Sequence, residues 1–505
     1  MTTPEPNTPC LVAAAQYVGR ETDPTAALSP ADMLAKVARD ALADAGINAD
    51  ALDALAIIRL FADSGADAFA SPFGKYDNLP WSVANRLGHI PEDLIYGPVG
   101  GNTPQMLVNV LAERIWRGEA GVALIAGGEA LRTQAMAAKA KLDLDWGETA
   151  PSPAGPFGDP HLDRLLTRHE VKHGIALPVN VYPLFETAFG AARNWSIDDH
   201  MVEIGRLMAP FTEVAAANPH AQVRTARTAG ELTIATPENR FISWPYTKYL
   251  VSNMFVDQAA AILLMSHERA DEFGVPQDAR VYLHGSADTV EKTPSARADL
   301  SRCPAIAVGA GRALNQAGIA PGDLGPLDLY SCFPIAVEIA AREIGIPTDD
   351  PRGLTLTGGL PYFGGAGNAY SMHGIAEMVD ACRDAPAAHG LVFANGGYLS
   401  KHSFGVYSAR PGYAPRTDPA SYQTALDAQP SPPLDEAPSG TGRIEAYTVA
   451  HDRNGPTAAI IIARDDDRRF LARMTAGLDD LMTQNAVGLT TRVEAGSPVN
   501  TARLV

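Results

Sequence analysis

The stretch ALADAGINADALDALAII at residues 41–58 decides the fold, because a related stretch, ALNQAGIAPGDLGPLDLY, recurs at 313–330. Seven of the eighteen aligned positions are identical, at an offset of 272 residues. A second pair, GVALIAGG at 121–128 and GLVFANGG at 390–397, repeats at an offset of 269 residues. Two matches in the same order at nearly one offset indicate a duplicated half, and the period is far too long for a solenoid repeat.

Each copy of the first stretch combines a helix with a strand. In the first copy, Ser29 and Pro30 are typical of a helix start, and Gly46 is typical of a helix end. A strand is expected to follow at 54–60. The second copy has the same order, with a strand at 327–330.

The second pair of matching stretches has the character of buried strands. Val122–Ala126 and Leu391–Ala394 are short and apolar on both faces, which suits a sheet covered by helices. In the second half, Pro334 is expected to begin a further helix that ends near Gly345. The alternation of helices and strands in both halves predicts an α/β fold.

Three stretches depart from this alternation. Residues 131–248 carry mixed helices with several His and Pro residues, which indicates an insertion. The next departure, 411–441, is rich in Pro, Ser, Asp and Gly and is typical of a linker. Two runs flanking Asn454-Gly455-Pro456 predict a β-hairpin. The predicted units are a first half (8–130 and 249–270), an inserted loop domain (131–248), a second half (271–410), a linker (411–441) and a small β-rich domain (442–505).

Composition and charge exclude several classes of protein. The formal net charge of −18 argues against binding to nucleic acid or to an anionic membrane. No apolar run reaches the roughly 18 residues that span a bilayer, and the N-terminus MTTPEPNTPC lacks the features of a signal peptide. We expect a reduced, cytoplasmic protein with no metal site, because the four cysteines are too scattered for a disulfide framework or a zinc cluster: Cys10, Cys303, Cys332 and Cys382.

Over about residues 8–410 the chain resembles the thiolase superfamily, and it looks closest to the sterol carrier protein thiolases. In the insertion, Ala217-Asn218-Pro219-His220-Ala221 is similar to the NNP-type motif of that branch. The segments that carry the resemblance are RGEAGVALIAGGEAL (117–131), VDQAAAILLMSHERADEFG (256–274), LYSCFPIAVEIAAREIGI (329–346) and GGLPYFGGAGNAYSMHGIAEMV (358–379).

The resemblance implies the fold of the family. That fold has two similar βαβαβαββ halves, arranged in five αβαβα layers, with a loop domain inserted in the first half. The stretch 442–505 resembles the OB-like modules found with non-standard thiolases, which implies a small C-terminal β-barrel.

The residues that carry thiolase chemistry are missing. Gly101, in VGGNTPQML, stands where the family has its nucleophilic Cys. Gly365 replaces the His of the GHP loop, and Ala394 replaces the second Cys, which belongs to a CxG motif. Tyr330-Ser331-Cys332-Phe333 stands where the family has the segment that helps to hold the thioester oxygen. Since thiolysis and Claisen condensation need a thiolate and a proton shuttle, the usual thiolase mechanism is not expected.

Cys332 is the candidate for a relocated nucleophile. The resemblance places it at the Cys of an HDCF segment that faces the catalytic cavity, and a helix start near Pro334 would lower the pKa of its thiol. His402 and His373 follow loops that border the family's active site, so either is a candidate base. The alternative is that Cys332 is a small buried apolar residue and that His373 is a cap or a surface group.

Coenzyme A, or an acyl-CoA, is the ligand that the resemblance implies, as a substrate rather than a tightly bound cofactor. Arg224, Arg227 and Lys248 are candidates to contact its phosphates. The glycine loops could approach the ligand closely or form an oxyanion hole, or they could be simple turns. The candidate binding residues are Asn218, His220, Asn253, Gly364, Gly365, Asn395 and Gly396.

A nicotinamide cofactor is not expected, because Gly309-Ala310-Gly311 lacks the third glycine and the acidic residue of the dinucleotide motif. Thiolases dimerise through a strand that here contains Gly97 and Pro98, and both weaken a strand. We therefore expect a monomer or a weak homodimer. The C-terminal domain is a candidate surface for a protein partner.

Three functions are consistent with these observations. The first is an acyl-CoA-binding acyltransferase of lipid metabolism, acting on fatty acids or sterols with Cys332 as its nucleophile. The alternative is a non-catalytic CoA-binding or scaffolding protein that works with a partner. A third interpretation is a carbon–carbon lyase or condensing enzyme that acts on a bulky acyl chain. An enzyme should have an exposed thiol of low pKa beside a histidine, whereas a scaffold need not.

Overall fold

The structure of the chain is a computed structural model that describes residues 4–65, 71–155, 157–158 and 165–505. Its strands are β1 (Pro9–Val18), β2 (Ala54–Ile57), β3 (Asp93–Tyr96), β4 (Val122–Ala130), β5 (Phe241–Trp244), β6 (Tyr246–Thr247), β7 (Asp257–Ser266), β8 (Val281–Val290), β9 (Leu324–Leu329), β10 (His389–Gly396), β11 (Lys401–Ser408), β12 (Leu434–Asp435), β13 (Ser439–Asp452), β14 (Gly455–Arg464), β15 (Arg469–Met474), β16 (Thr490–Glu494) and β17 (Thr501–Leu504). Its helices are α1 (Pro30–Asp44), α2 (Leu79–Leu87), α3 (Thr103–Trp116), α4 (Leu131–Ala140), α5 (Arg168–Lys172), α6 (Pro178–Ala192), α7 (Ile197–Ala217), α8 (Ala229–Thr233), α9 (His267–Glu272), α10 (Pro304–Ala317), α11 (Pro334–Ile344), α12 (Tyr370–Asp384), α13 (Pro419–Asp427) and α14 (Leu478–Thr483).

The duplicated stretches form equivalent helix–strand units. The side chain of Ser29 accepts a hydrogen bond from the backbone of Asp32 and caps α1. Gly46, with φ +68°, follows the end of α1, and Gly318, with φ +69°, follows the end of α10. Both glycines adopt the left-handed conformation that ends a helix at low cost. Strands β2 and β9 come next in the two halves, as the repeated sequence predicts.

A short pairing of β1 with β8 links the strands of the two halves into one continuous order of nine. The strand order is β3-β2-β4-β7-β1-β8-β11-β10-β9. In the first half, β2 pairs in parallel with β3 and β4, and β4 pairs antiparallel with β7. In the second half, β10 pairs in parallel with β9 and antiparallel with β11. Only the pairs Cys10–Tyr282 and Leu11–Val281 connect β1 to β8 at the junction.

The helices complete the five predicted layers. Helix α1 packs on β1, β4 and β7, and α10 packs on β8 and β11, so each covers the outer face of one half. Helices α3 and α12 pack against each other and against strands of both halves. From one side to the other, the layers are α1, the strands of the first half, the pair α3 and α12, the strands of the second half, and α10. This is the αβαβα arrangement, and the prediction of the fold is confirmed.

The C-terminal strands form a closed barrel. Strand β13 pairs with β14 and β16, β15 pairs with β14 and β17, and β16 pairs with β17, which closes a ring of five strands. The inserted region contributes β5, which pairs with β13. The guanidinium of Arg469, which is 1% exposed, donates to Glu445 at 2.6 Å and to the backbone oxygen of Ser295 at 3.0 Å. The barrel is therefore anchored to both the insertion and the second half.

The stretch predicted as a linker is more ordered than its composition indicates. Helix α13 lies within 411–441 and packs on β8. The hydroxyl of Tyr422, on this helix, accepts a hydrogen bond from the backbone of Asp288 at 3.2 Å. Leu426 on the same helix is buried, and Gln423 hydrogen-bonds to the backbone of Val290, so several contacts order a segment rich in proline and serine.

Strand β3 lies at one edge of the nine-stranded sheet. It ends at Tyr96, before Gly97 and Pro98, so these residues shorten it as expected. The expectation of a monomer or weak dimer stays a prediction. None of the helices in the described part of the chain is long and apolar enough to cross a membrane.

Candidate functional site

A largely apolar cavity of about 320 Å³ lies where the two halves and the insertion meet. Part of its wall comes from stretches that the sequence analysis singled out. Most of its lining residues are in six segments: the start of α3 (Gly100, Gly101), the start of α6 (Leu177, Pro178, Val179, Tyr182), the segment before β7 (Val251, Ser252, Met254), the turn after β9 (Tyr330, Cys332, Phe333), the loop before α12 (Gly365, Gly367, Asn368) and the end of β10 (Asn395, Gly396, Gly397).

At the position of the missing nucleophile, a tyrosine fills the space. A Cβ atom added to Gly101 would lie 2.3 Å from the Oη atom of Tyr330 and 2.6 Å from the backbone oxygen of Asn395. Tyr330 is buried and packs edge-on against Tyr370, with 5.4 Å between the ring centroids. Any side chain at Gly101 would collide with this tyrosine. The loss of the nucleophile is therefore built into the packing.

The position of the missing histidine is filled in the same way. A Cβ atom added to Gly365 would lie 2.2 Å from the Oγ atom of Ser252. The backbone N–H of Gly365 donates to the backbone oxygen of Asn253 at 2.8 Å, which holds the loop against this segment. A histidine at Gly365 would displace Ser252.

Cys332 lines the cavity beside two polar groups. The amide of Asn395 donates to the hydroxyl of Tyr182 at 2.8 Å and reaches the Sγ atom of Cys332 at 4.0 Å. Burial raises the pKa of the Cys332 thiol to about 12, although hydrogen bonds from Tyr182 and Asn395 oppose the shift. The expected lowering of this pKa by the start of α11 is therefore wrong, because loss of hydration outweighs it.

His402 contacts a different cysteine from the one predicted. Its Nε2 atom lies 3.3 Å from the Sγ atom of Cys303, and its ring stacks on Phe393. Burial lowers the pKa of His402 to about 3, so the imidazole is neutral. Within the described residues, no hydrogen bond joins His402 to Cys332. His402, a predicted base for Cys332, thus contacts Cys303 and Phe393 instead.

His373 belongs to a polar cluster that does not line the cavity. Its Nδ1 atom lies 2.7 Å from the Oε1 atom of Gln16, and burial lowers its pKa to about 3. Asn218 donates to Glu377 at 3.0 Å, and the Nδ1 atom of His220 lies 4.0 Å from the same carboxylate. The amide of Gln16 donates to Glu377 at 2.9 Å, so three predicted site residues lie around Glu377 and apart from Cys332.

The remaining predicted residues divide between the cavity and its surroundings. Asn395, Gly396 and Gly365 line it, whereas Asn253 and Gly364 lie next to lining residues. The side chain of Asn253 accepts a hydrogen bond from its own segment, from the backbone of Phe255 at 3.1 Å.

The basic residues proposed for the phosphates lie on the insertion. Arg227 stacks over the ring of Tyr249 at 4.0 Å, and Arg224 donates to the backbone oxygen of Ala216 at 3.3 Å. Lys248 is exposed. Arg224 and Lys248 are thus both at the surface, and their role as phosphate contacts stays a prediction.

A monomeric SCP2-thiolase-like protein type 1 from Mycobacterium smegmatis has a solved structure similar to this one. The match covers 100% of both chains, with 36% sequence identity and a TM-score of 0.85. The chain belongs to the SCP2-thiolase-like proteins of type 1. A family model for the thiolase-like protein type 1 additional C-terminal domain matches residues 421–497 of this type 1 protein. That match includes most of α13 and four of the five barrel strands, β13 to β16.

More distant structures share the fold alone. The Ltp2-ChsH2(DUF35) aldolase is 18% identical, with a TM-score of 0.58 over 80% of this chain and 99% of that chain. Human mitochondrial 3-ketoacyl-CoA thiolase in complex with CoA is 15% identical, with a TM-score of 0.57 over 79% of this chain and 98% of that chain. A comparison with curated proteins finds no match.

Sequence reasoning missed the side chains that shape the cavity. Tyr182, Ser252 and Tyr330 all line it, yet they lie in three separate segments of the chain. Only Tyr330 carried a signal, since it begins the segment aligned with the family's thioester-oxygen motif. A large side chain at Tyr330 together with a glycine at position 101 is the sequence signal that the nucleophile position is occupied by the tyrosine.

We predict that Gly101→Cys destabilises the protein by about 1–3 kcal/mol, because the new side chain collides with Tyr330. In the Tyr330→Ala background the same change should cost less, with a coupling of at least about 1 kcal/mol. Urea unfolding of the two single variants and the double variant measures both values. Gly311→Cys is the matched control, because a Cβ atom there meets nothing within 4 Å. A Gly101→Cys variant as stable as the Gly311→Cys control would contradict the collision.

We predict that alkylation of Cys332 by iodoacetamide becomes about tenfold faster for each pH unit between 7 and 9. The reason is that burial raises its pKa to about 12, so the reactive thiolate is scarce throughout this range. Mass spectrometry of the Cys332 peptide measures the rate. Free glutathione in the same buffers shows the levelling expected of an ordinary thiol. A rate for Cys332 that levels off near pH 7 would show that an activated thiolate exists.

Proposed function

We propose that this protein binds the acyl chain of an acyl-CoA in its central cavity without carrying out thiolysis. The observation that carries the proposal is that the cavity persists while Tyr330 and Ser252 fill the catalytic positions. A ligand site that is concave and mostly apolar, with a few polar groups, is typical of small-molecule binding. The human thiolase with the same fold has a structure in complex with CoA.

The polarity of the cavity supports an acyl chain as the occupant. Val179, Val251, Met254, Phe333 and Leu360 supply apolar walls. The rim is apolar as well, since Leu177 is 49% exposed and Phe255, beside the lining residue Met254, is 67% exposed. Apolar side chains at a rim lose contact with water when a hydrocarbon chain enters between them, which favours binding.

The electrostatics of the site favour binding over proton transfer. Cys332 holds its proton because its pKa is raised, and burial keeps His373 and His402 neutral and unprotonated. General-base catalysis is most effective when the pKa of the base lies near the working pH. None of these three groups meets that requirement.

The polar groups at the inner end of the cavity suit the thioester. Asn395 presents its side chain beside Cys332, and its Oδ1 atom is buried without a hydrogen-bond partner. Buried polar atoms are nearly always paired, so this amide is a candidate to contact a polar group of the ligand. The phosphates of the ligand would then extend toward the basic residues of the insertion, as the resemblance implies.

A second candidate function is acyl transfer to Cys332, which the position of its Sγ atom in the cavity wall favours. In that reaction the thiolate attacks the thioester carbonyl, the bond from that carbonyl to the CoA sulfur breaks, and the thiol proton passes to the departing CoA thiolate. The product is an acyl group in thioester linkage to Cys332. Our leading proposal predicts no such adduct, because the thiol stays protonated.

We predict that affinity for acyl-CoA rises with chain length from acetyl to hexanoyl, by about fourfold per methylene, which corresponds to about 0.8 kcal/mol. Isothermal titration calorimetry measures this series. Val179→Trp should abolish the dependence on chain length, because the indole would fill the cavity. Val202→Trp is the control, since Val202 is 54% exposed and lies on α7 away from the cavity.

Two results would contradict the proposal. The first is an affinity that does not change with chain length, or that Val179→Trp leaves intact. The second is an acyl adduct on the wild-type protein after incubation with acyl-CoA, detected by intact-protein mass and lost in Cys332→Ser. That second result would establish acyl transfer in place of simple binding.

A further inference from the structure

A second cluster of titratable side chains lies where the insertion meets the second half. Glu186 lies on α6, His200 on α7 and Glu338 on α11, and all three are buried. One oxygen or nitrogen atom from each residue lies within 4.8 Å of the other two. The Nε2 atom of His200 is 2.6 Å from the Oε1 atom of Glu186. Three separate helices thus bring three candidate metal ligands to one point.

The two carboxyl groups of this cluster need a positive charge or a proton. Among the described residues, no lysine or arginine forms a salt bridge with Glu186 or Glu338. The side chains of Glu186 and Glu338 also hydrogen-bond to each other, so without an ion the two carboxyl groups have to share a proton. A divalent cation would balance both carboxylates at once.

Glu338 provides an independent observation that points to a ligand. Its side chain is only 2% exposed, yet its Oε2 atom has no hydrogen-bond partner. Glu338 also lines a cavity of about 380 Å³, which is separate from the acyl cavity. A buried oxygen without a partner calls for an explanation, and coordination of an ion supplies one. The cavity would leave room for water on the ion.

Neighbouring groups hold the three side chains in place. The hydroxyl of Tyr246 donates to the Oε2 atom of Glu186 at 2.5 Å, which orients that carboxylate. A Cβ atom added to Gly190 would lie 2.3 Å from the Nδ1 atom of His200, so this glycine lets the imidazole lie against α6. Hydrogen bonds and packing of this kind commonly orient the ligands of a metal ion.

We propose that Glu186, His200 and Glu338 form a binding site for one divalent transition-metal ion, with Zn²⁺ as the expected occupant. Two carboxylates and one imidazole are ligands that Zn²⁺ accepts. Three protein ligands with a fourth position open to a cavity are the arrangement found where zinc binds water or a small ligand. The site does not depend on the acyl cavity or on its proposed function.

The test is calorimetric titration of Zn²⁺ into the full-length chain after treatment with a chelator. We expect one Zn²⁺ per chain, with release of protons that shows as a dependence of the heat on the buffer, because the protonated carboxyl groups must ionise. Glu338→Gln and His200→Gln should each weaken binding by at least about 100-fold, the upper end of the loss seen for groups that only orient metal ligands. Co²⁺ in place of Zn²⁺ should give a visible spectrum that both variants lose.

Glu203→Gln is the matched control, because Glu203 lines the same cavity but pairs with Arg206 at the surface. It should bind Zn²⁺ like the wild type. Circular dichroism checks that every variant is folded. Absence of stoichiometric binding to the wild type would overturn the proposal. Equal binding to the wild type and to folded Glu338→Gln would also overturn it, since the cluster would then be a proton-sharing network and the ion adventitious.

Discussion

The contact between the hydroxyl of Tyr330 and the backbone of Gly101 is the constraint on which the site depends. The Oη atom lies 2.3 Å from where a Cβ atom would stand. The scaffold therefore cannot carry a nucleophile at this position without moving a buried tyrosine. Ser252 imposes the same limit on Gly365. The side chains of Tyr330 and Ser252, from distant segments, thus occupy the space of the family's nucleophile and histidine. The cavity beside them stays open.

The electrostatics of the core agree with this packing. Loss of hydration keeps the Cys332 thiol protonated and the imidazoles of His373 and His402 neutral. Proton transfer at neutral pH is fastest through groups whose pKa lies near the working pH, and the pKa values of these three groups lie far above or below it. What remains is an apolar, concave surface with the amide of Asn395 at its inner end. Such a surface is suited to holding an acyl chain, and the start of α6, in the insertion, completes its walls while β13 of the barrel packs on α6.

The fold was largely predictable from sequence, and the site only in part. The repeat at 41–58 and 313–330 predicts both halves, because each copy has a glycine that can end a helix, followed by the apolar residues of a strand. Motif alignment likewise locates the empty position Gly101. The side-chain partners were not predictable: His402 points to Cys303 and His373 to Gln16 because packing of separate elements sets their direction. The cluster of Glu186, His200 and Glu338 was missed for the same reason, since helical spacing connects no two of them.

Thiolysis of a short 3-ketoacyl-CoA by free CoA tests most directly whether the filled positions have removed the chemistry. The loss of the ketoacyl substrate is followed with the wild-type protein and without protein. The account predicts equal rates, because Tyr330 and Ser252 occupy the places of the nucleophile and the histidine. A rate above the protein-free control that Cys332→Ser abolishes would contradict it, because a thiol in this cavity would then be catalytic.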